Sequence, residues 1–203
     1  MSFEVDVIKR LGDAEIAVAF ASDAGVTALF GPSGSGKTSI LNMIAGLLTP
    51  DRGRIVVGGE ILFGEGVNLP PEARHAGYVF QDARLFPHLK VRANLFYGAP
   101  RGVGGVTLDE VVDLLGLGHL LGRWPRTLSG GEAQRVAIGR ALLSNPRFLL
   151  MDEPLASLDA ARAEEILAMI ERVRDQLGLP ILYVSHNRTE VDRLATSVVP
   201  IRR

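Results

Sequence analysis

The run Gly31-Pro32-Ser33-Gly34-Ser35-Gly36-Lys37-Thr38 constrains this chain more than any other segment. Two glycines with four residues between them, followed by a lysine and a hydroxyl residue, make a loop of bare backbone whose N–H groups can converge on phosphate oxygens. The neighbours on either side differ in periodicity. Gly25-Val26-Thr27-Ala28-Leu29-Phe30 reads as a buried strand, whereas Ile40, Leu41, Ile44 and Leu47 recur at helical spacing. A loop so placed ends a strand and opens a helix whose positive end faces an anion. Lys37 would reach the outer phosphates and Thr38 would offer a hydroxyl to Mg²⁺, so the segment implies a nucleoside triphosphate. The alternative is a chance glycine-rich turn, which three lysines in 203 residues make a poor explanation.

Around this loop the pattern is that of a doubly wound α/β protein. The first 30 residues alternate apolar and polar, as in Glu15-Ile16-Ala17-Val18-Ala19-Phe20, and predict antiparallel strands leading into the loop strand. Residues Gly53 to Phe63 predict a hairpin turning on Gly58-Gly59, and Gly77-Tyr78-Val79-Phe80 a buried strand. From about Leu85 to Leu143 the period becomes helical, broken by the Gly102-Val103-Gly104-Gly105 loop and by Pro125, as in an inserted helical subdomain. Strand and helix then alternate again: Phe148 to Met151, Ala160 to Leu177, Ile181 to Ser185, Thr189 to Leu194.

Composition removes several classes of function. A net charge of −1 and the lack of any basic stripe give no reason to expect nucleic acid as a partner. The chain has no cysteine, which excludes disulfides and thiolate metal sites. No apolar leader follows a basic start and no apolar run is long enough to span a bilayer, so the expected location is the cytoplasm.

Two further segments carry chemistry. Phe148-Leu149-Leu150-Met151-Asp152-Glu153 delivers two acids at the carboxyl end of an apolar strand, where open parallel sheets bind ligands. The first acid suits Mg²⁺ and the second suits an attacking water, though an acidic turn before Pro154 would read the same way. In Leu128-Ser129-Gly130-Gly131-Glu132, Ser129 and Glu132 form a capping box that starts a helix. The glycines beside that cap leave N–H groups uncovered at a positive helix end, so the cap can also receive an anion.

Taken together, the phosphate loop, Leu128 to Leu142, Asp152-Glu153 and Ser157-Leu158-Asp159 resemble, in order and spacing, the ATPase subunit of ABC transporters over essentially the whole chain. Gln81 to Val91 looks most like the ATPase of bacterial molybdate importers. The resemblance implies an α/β fold of the P-loop NTPase type with a RecA-like core sheet, an N-terminal antiparallel β subdomain and an inserted helical subdomain. It implies one domain, with core and β subdomain over about 1–84 and 146–203 and the helical subdomain over about 85–145. Relatives of the molybdate type usually continue into a small β-rich regulatory domain, which is not expected here.

By the same resemblance, residues Gly31 to Thr38 with Ser39 hold ATP, and Thr38, Gln81 and Asp152 hold Mg²⁺. Glu153 polarises water, His186 and Lys37 attend the γ-phosphate, and Asp159 couples two sites. Ser129, Gly130 and Gly131 would contact ATP held by a second copy of the chain, giving a head-to-tail homodimer. The other implied partners are integral-membrane permease subunits and, indirectly, an extracytoplasmic solute-binding protein, which puts the chain on the inner face of the membrane. The family's stacking aromatic is missing from the stretch Ile8-Lys9-Arg10-Leu11, where Arg10 offers at most a cation–π face. Leu85, Phe86, Pro87 and Leu89 read equally as a socket for a membrane subunit and as packing under the helices. His75, His88 and His119 read as structural or exposed. Rival readings are an importer ATPase for another solute, a soluble ABC-type switch, and a phosphate-loop kinase, for which the Leu128 to Glu132 segment has no use.

Overall fold

In the computed structural model, which describes residues 2–99 and 105–201, the two strand patterns separate into two sheets. β1 (Phe3–Leu11) and β2 (Ala14–Ser22) form a hairpin, and β1 also pairs with β4 (Arg52–Val57), which continues through β5 (Glu60–Gly64) to β6 (Val67–Asn68). All these pairings are antiparallel, in the order β2-β1-β4-β5-β6. The β4–β5 turn is Gly58-Gly59, both at positive φ (57° and 83°), as its predicted hairpin requires.

The second sheet is parallel, ordered β10-β3-β9-β8-β7, with β3 (Val26–Phe30), β7 (Ala76–Val79), β8 (Phe148–Asp152), β9 (Ile181–Ser185) and β10 (Ser197–Pro200). β8 and β9 are buried at every position, because helices cover both faces. Alternate residues of β8 therefore enter two different cores. Phe148 and Leu150 join Leu41 and Ile44 of α1 (Lys37–Ala45) and Phe3 and Val5 of β1. Leu149 and Met151 join Leu115 of α3 (Leu108–Leu115), Ile138 of α4 (Gly130–Leu143) and Ile170 of α5 (Ala160–Leu177).

Between β7 and β8 the predicted helical stretch is built from α2 (Val91–Leu95), α3, α4 and short 3-10 turns at Gly118–Leu120 and Pro125–Thr127. Pro125 opens the second of these turns, so it does interrupt the helical run. Of the expected Gly102 to Gly105 loop only Gly105 is described; the rest lies outside the described residues. The chain closes with α6 (Arg188–Leu194) and β10, an edge strand that the sequence pattern did not suggest.

One expectation fails at the end of α1. Leu47, read as part of the helical stripe, lies outside the helix and is 55% exposed, because the helix stops at Ala45. Gly46 takes the left-handed C-cap conformation at φ 82°, and a Cβ there would lie 2.7 Å from Arg74 Nε. Arg74 has no exposed surface. Its Nη1 donates to the carbonyls of Met43 and Ile44, its Nε to Leu69 and its Nη2 to Asn68 Oδ1. A buried cation thus satisfies the carbonyl end of the helix whose other end carries the phosphate loop.

Candidate functional site

The loop from Gly31 to Thr38 leaves β3 and enters α1 with Gly34 and Gly36 at φ 77° and 88°, a conformation open to glycine at little cost. Gly36 is the N-cap of α1 and supplies no side-chain acceptor, and no acid sits in the first turn, so the first N–H groups remain available to an outside anion. A Cβ at Gly36 would lie 3.0 Å from Ile16 Cδ1 on β2, and one at Gly31 would meet the Ile201 carbonyl. The loop is thus closely flanked by both sheets.

Lys37 is 4% exposed and folds back on the loop, its Nζ donating to the carbonyls of Gly31 (2.9 Å) and Pro32 (2.8 Å). Ser35 Oγ is buried with no hydrogen-bond partner, the kind of polar atom a phosphate oxygen would satisfy. Thr38 Oγ1 donates to Asp152 Oδ1 at 3.1 Å. Burial pushes the Asp152 carboxyl up from its ordinary value, with the Thr38 bond pulling the other way and Glu153 adding to the rise. Beside these groups opens a cavity of about 860 Å³, lined by Ser33 to Ser39, Gln81, Glu153, Ile201 and, from the β1–β2 hairpin, Leu11 and Ala14 to Ala17.

Glu153 follows β8 with φ 44°, a left-handed conformation uncommon for a residue with a Cβ. Its Oε1 stands 3.8 Å from Lys37 Nζ and its Oε2 2.9 Å from His186 Nδ1. The Glu153 carboxyl and the His186 ring are thus within hydrogen-bond distance of each other. The turn carrying His186 is itself tied. Tyr183 Oη and Ser185 Oγ both donate to Glu190 Oε2 at 2.8 Å, and Ser185 Oγ accepts from Asn187 N.

The remaining predicted residues form a second cluster. Ser129 caps α4 in the expected capping box: its Oγ accepts from Glu132 N, and Glu132 Oε2 accepts from Ser129 N at 2.6 Å. Arg123 Nη1 bonds the other Glu132 oxygen and Nη2 the Thr127 carbonyl, which anchors the approach to the cap. A Cβ on Gly130 would lie 3.1 Å from Leu158 Cδ2, and one on Gly131 3.6 Å from Arg162 Cβ. Asp159 is exposed and caps α5 through Arg162 N. The structure thus brings Ser129-Gly130-Gly131 beside the Ser157 to Asp159 turn, and none of these residues lines the cavity.

The other expectations sort by contact. His75, His88 and His119 are all exposed. Leu85 packs against the core, while Pro87 is exposed and the Phe86 ring lies against that of Tyr97, tilted by 38° with centroids 4.0 Å apart. Arg10 is exposed at the end of β1, and Leu11 rather than Arg10 lines the cavity. Reasoning from sequence missed Leu11 and Ile16 as cavity wall. Their alternation marked a strand and carried no signal that the strand faces the phosphate loop. Among the described residues no three His, Asp or Glu side chains converge as a metal cage, and no helix is long and apolar enough to cross a membrane. Mg²⁺ does not need a cage, since it binds through one or two protein oxygens plus phosphates and waters. Thr38, Asp152 and Gln81 fit that donor set.

Residues 19–156 match the model of the family described as ABC transporter. Molybdenum import ATP-binding protein ModC of Rhizobium johnstonii is 57% identical over 207 residues, covering 100% of this chain and 58% of its own length. The protein of the same description from Brucella abortus is 59% identical over 199 residues, covering 96% of this chain and 55% of its own length. The chain thus spans little more than half the length of these relatives. Among solved structures, the ATP-binding cassette MJ0796, a dimer in a post-hydrolysis state bound to ADP and Pi, superposes with a TM-score of 0.79 at 26% identity, over 100% of this chain and 94% of that one.

Proposed function

This chain belongs to the ABC transporter family, and from that premise we propose that it is the ATP-binding and ATP-hydrolysing subunit of an importer for molybdate or a similar oxyanion, working as a head-to-tail pair of copies. One observation carries the pairing: Ser129, Gly130 and Gly131 stand apart from the cavity bounded by the phosphate loop. A chain with two such separated surfaces completes an ATP site when a second copy turns its own Ser129 end toward the phosphate loop.

In that assembly the α1 N–H groups, Ser33 to Ser39 and Lys37 hold the phosphates, and Lys37 exchanges its loop carbonyls for phosphate oxygens. Ser129 is prepared for the partner's nucleotide, because its Oγ already accepts from Glu132 N and so keeps its own hydrogen to donate. Mg²⁺, held by Thr38, Asp152 and Gln81, would neutralise charge that develops on the phosphates. Glu153 orients the water that attacks the γ-phosphorus and takes its proton, while the bond to the ADP oxygen breaks. His186 fixes the Glu153 carboxylate and faces the γ-phosphate. Asp159, which caps α5, is given the role of coupling the two sites. Loss of the γ-phosphate removes the group that both copies grip, and the pair reopens.

The helical segment, about 85–145, is taken as the subdomain that meets a permease in the membrane, with the chain peripheral on the inner face. An extracytoplasmic binding protein would deliver the solute. The test is capture from native membranes with the Glu153→Gln chain and ATP, followed by reconstitution of the recovered permease in vesicles. ATP-dependent molybdate uptake that needs the wild-type chain is expected. Recovery of only soluble partners, or uptake confined to solutes that are not oxyanions, would contradict the proposal.

A further inference from the structure

The loop that carries Gln81 is held in a costly shape by a helix it does not belong to. After β7 the chain turns at Gln81 and Asp82, and then Ala83 and Arg84 adopt left-handed φ values of 57° and 44° in succession. Two consecutive residues with Cβ atoms in this region persist only where surrounding contacts impose them. Within the loop, Ala83 N donates to the Phe80 carbonyl and the Arg84 guanidinium lies 4.2 Å from the Phe80 ring centre; the contacts from outside the loop come from α4. Arg140 Nη1 donates to the Arg84 carbonyl at 2.8 Å and Nη2 to the Ala83 carbonyl at 3.0 Å, so the planar fork grips both left-handed residues at once. Gln134, buried and six positions earlier on the same helix, reaches the Phe80 carbonyl at the loop's other end. The Arg140 guanidinium also lies 5.4 Å from the Phe86 ring centre.

The N-terminus of α4 is the Ser129 cap. We propose that Arg140 is a positioning residue that clamps the Ala83-Arg84 pair, sets where Gln81 stands in the chain's own site, and locks that placement to the Ser129 end presented to the partner. The inference rests on the proposed roles of Gln81 and Ser129. Its physical content is that one helix holds both the loop of one site and the cap of the other, so neither moves without the other.

The test compares Arg140→Met, Arg140→Lys and Gln81→Ala with the wild type, far below their melting temperatures. Hydrogen exchange of the amides at 81–85 is measured without nucleotide. ATP affinity is measured without Mg²⁺, and the Mg²⁺ concentration giving half-maximal hydrolysis is measured with it. Arg140→Met is expected to speed exchange in that loop and to raise the Mg²⁺ requirement about tenfold, as loss of charge-assisted hydrogen bonds implies, with ATP affinity within about twofold of wild type. Arg140→Lys, which can reach one carbonyl of the two, is expected to fall between, and it carries the test alone if the methionine chain does not fold. A merely structural arginine would lower the melting temperature and leave the Mg²⁺ requirement unmoved while Gln81→Ala raises it, which overturns the proposal, as does unchanged exchange at 81–85. If the loop loosens but Gln81→Ala and Arg140→Met both keep the wild-type Mg²⁺ requirement, the role given to Gln81 is what fails.

Discussion

His186 Nδ1 stands 2.9 Å from Glu153 Oε2, so the acid at the end of β8 is held by the residue just past the end of β9. The two strands are neighbours in the parallel sheet, with Asp152 opposite Val184, and the Glu153 amide donates to the Val184 carbonyl. The register therefore brings the acid and the histidine together.

This arrangement predicts different outcomes for two substitutions. Glu153→Gln keeps an acceptor for His186 but loses the proposed base, and should lower kcat by about a hundredfold or more while ATP binding persists. His186→Ala leaves the base but frees its carboxylate, and should cost less, about tenfold in kcat. Steady-state hydrolysis with a separate measurement of ATP binding checks both. Near-normal turnover in Glu153→Gln would remove Glu153 from its proposed role.

Arg74 predicts a stability effect away from the chemistry. Arg74→Met removes donors from the carbonyls of Met43, Ile44 and Leu69 inside a site with no exposure. A loss of about 3 kcal/mol in urea unfolding is expected, since buried acceptors left without partners cost more than a hydrogen bond contributes. A loss below about 1 kcal/mol would show that α1 does not depend on this cap.

Glu132 predicts a pH dependence. The bond from Ser129 N holds its carboxyl below the ordinary value of 4.5, with smaller help from the Ser129 side chain, Arg123 and Arg135 against the opposing effect of burial. A carboxyl lowered in the folded state stabilises fully above its unfolded value, and that contribution is lost as pH falls through the folded one. The stability difference between wild type and Glu132→Gln should thus be constant near neutrality and shrink as the pH is taken below 4.5. A difference that stays the same down to acid pH would mean that the capping carboxylate contributes nothing through its charge.

Much of this molecule is legible where local chemistry dictates it. The phosphate loop is written in glycines whose left-handed positions, 34 and 36, fall where the loop turns into α1, and the Ser129–Glu132 capping box forms as its spacing implies. The period-2 pattern of β1 places Phe3, Val5 and Val7 inside. What stayed hidden depends on partners distant in sequence. Leu47 continues a helical stripe on paper, but Gly46 and the guanidinium of Arg74 end the helix first. Arg140 reads as one more basic residue on an amphipathic helix, yet it binds carbonyls 56 and 57 positions away in the chain. Ile16 reads as a strand residue and turns out to wall the phosphate loop. Neither periodicity nor propensity carries such pairings, because tertiary packing sets them.

The central claim is that each ATP site is shared between two copies, and mixing two disabled chains tests it most directly. Lys37→Met disables a chain's own phosphate loop, and Ser129→Arg blocks what the chain offers its partner. Each alone should hydrolyse ATP at background rate. Mixed, they can form one site with the intact loop of the Ser129→Arg chain and the intact Ser129 of the Lys37→Met chain, so hydrolysis should reappear. A mixture as inactive as its components, in a sample where mixed pairs are demonstrated by differential labelling, would contradict the shared site.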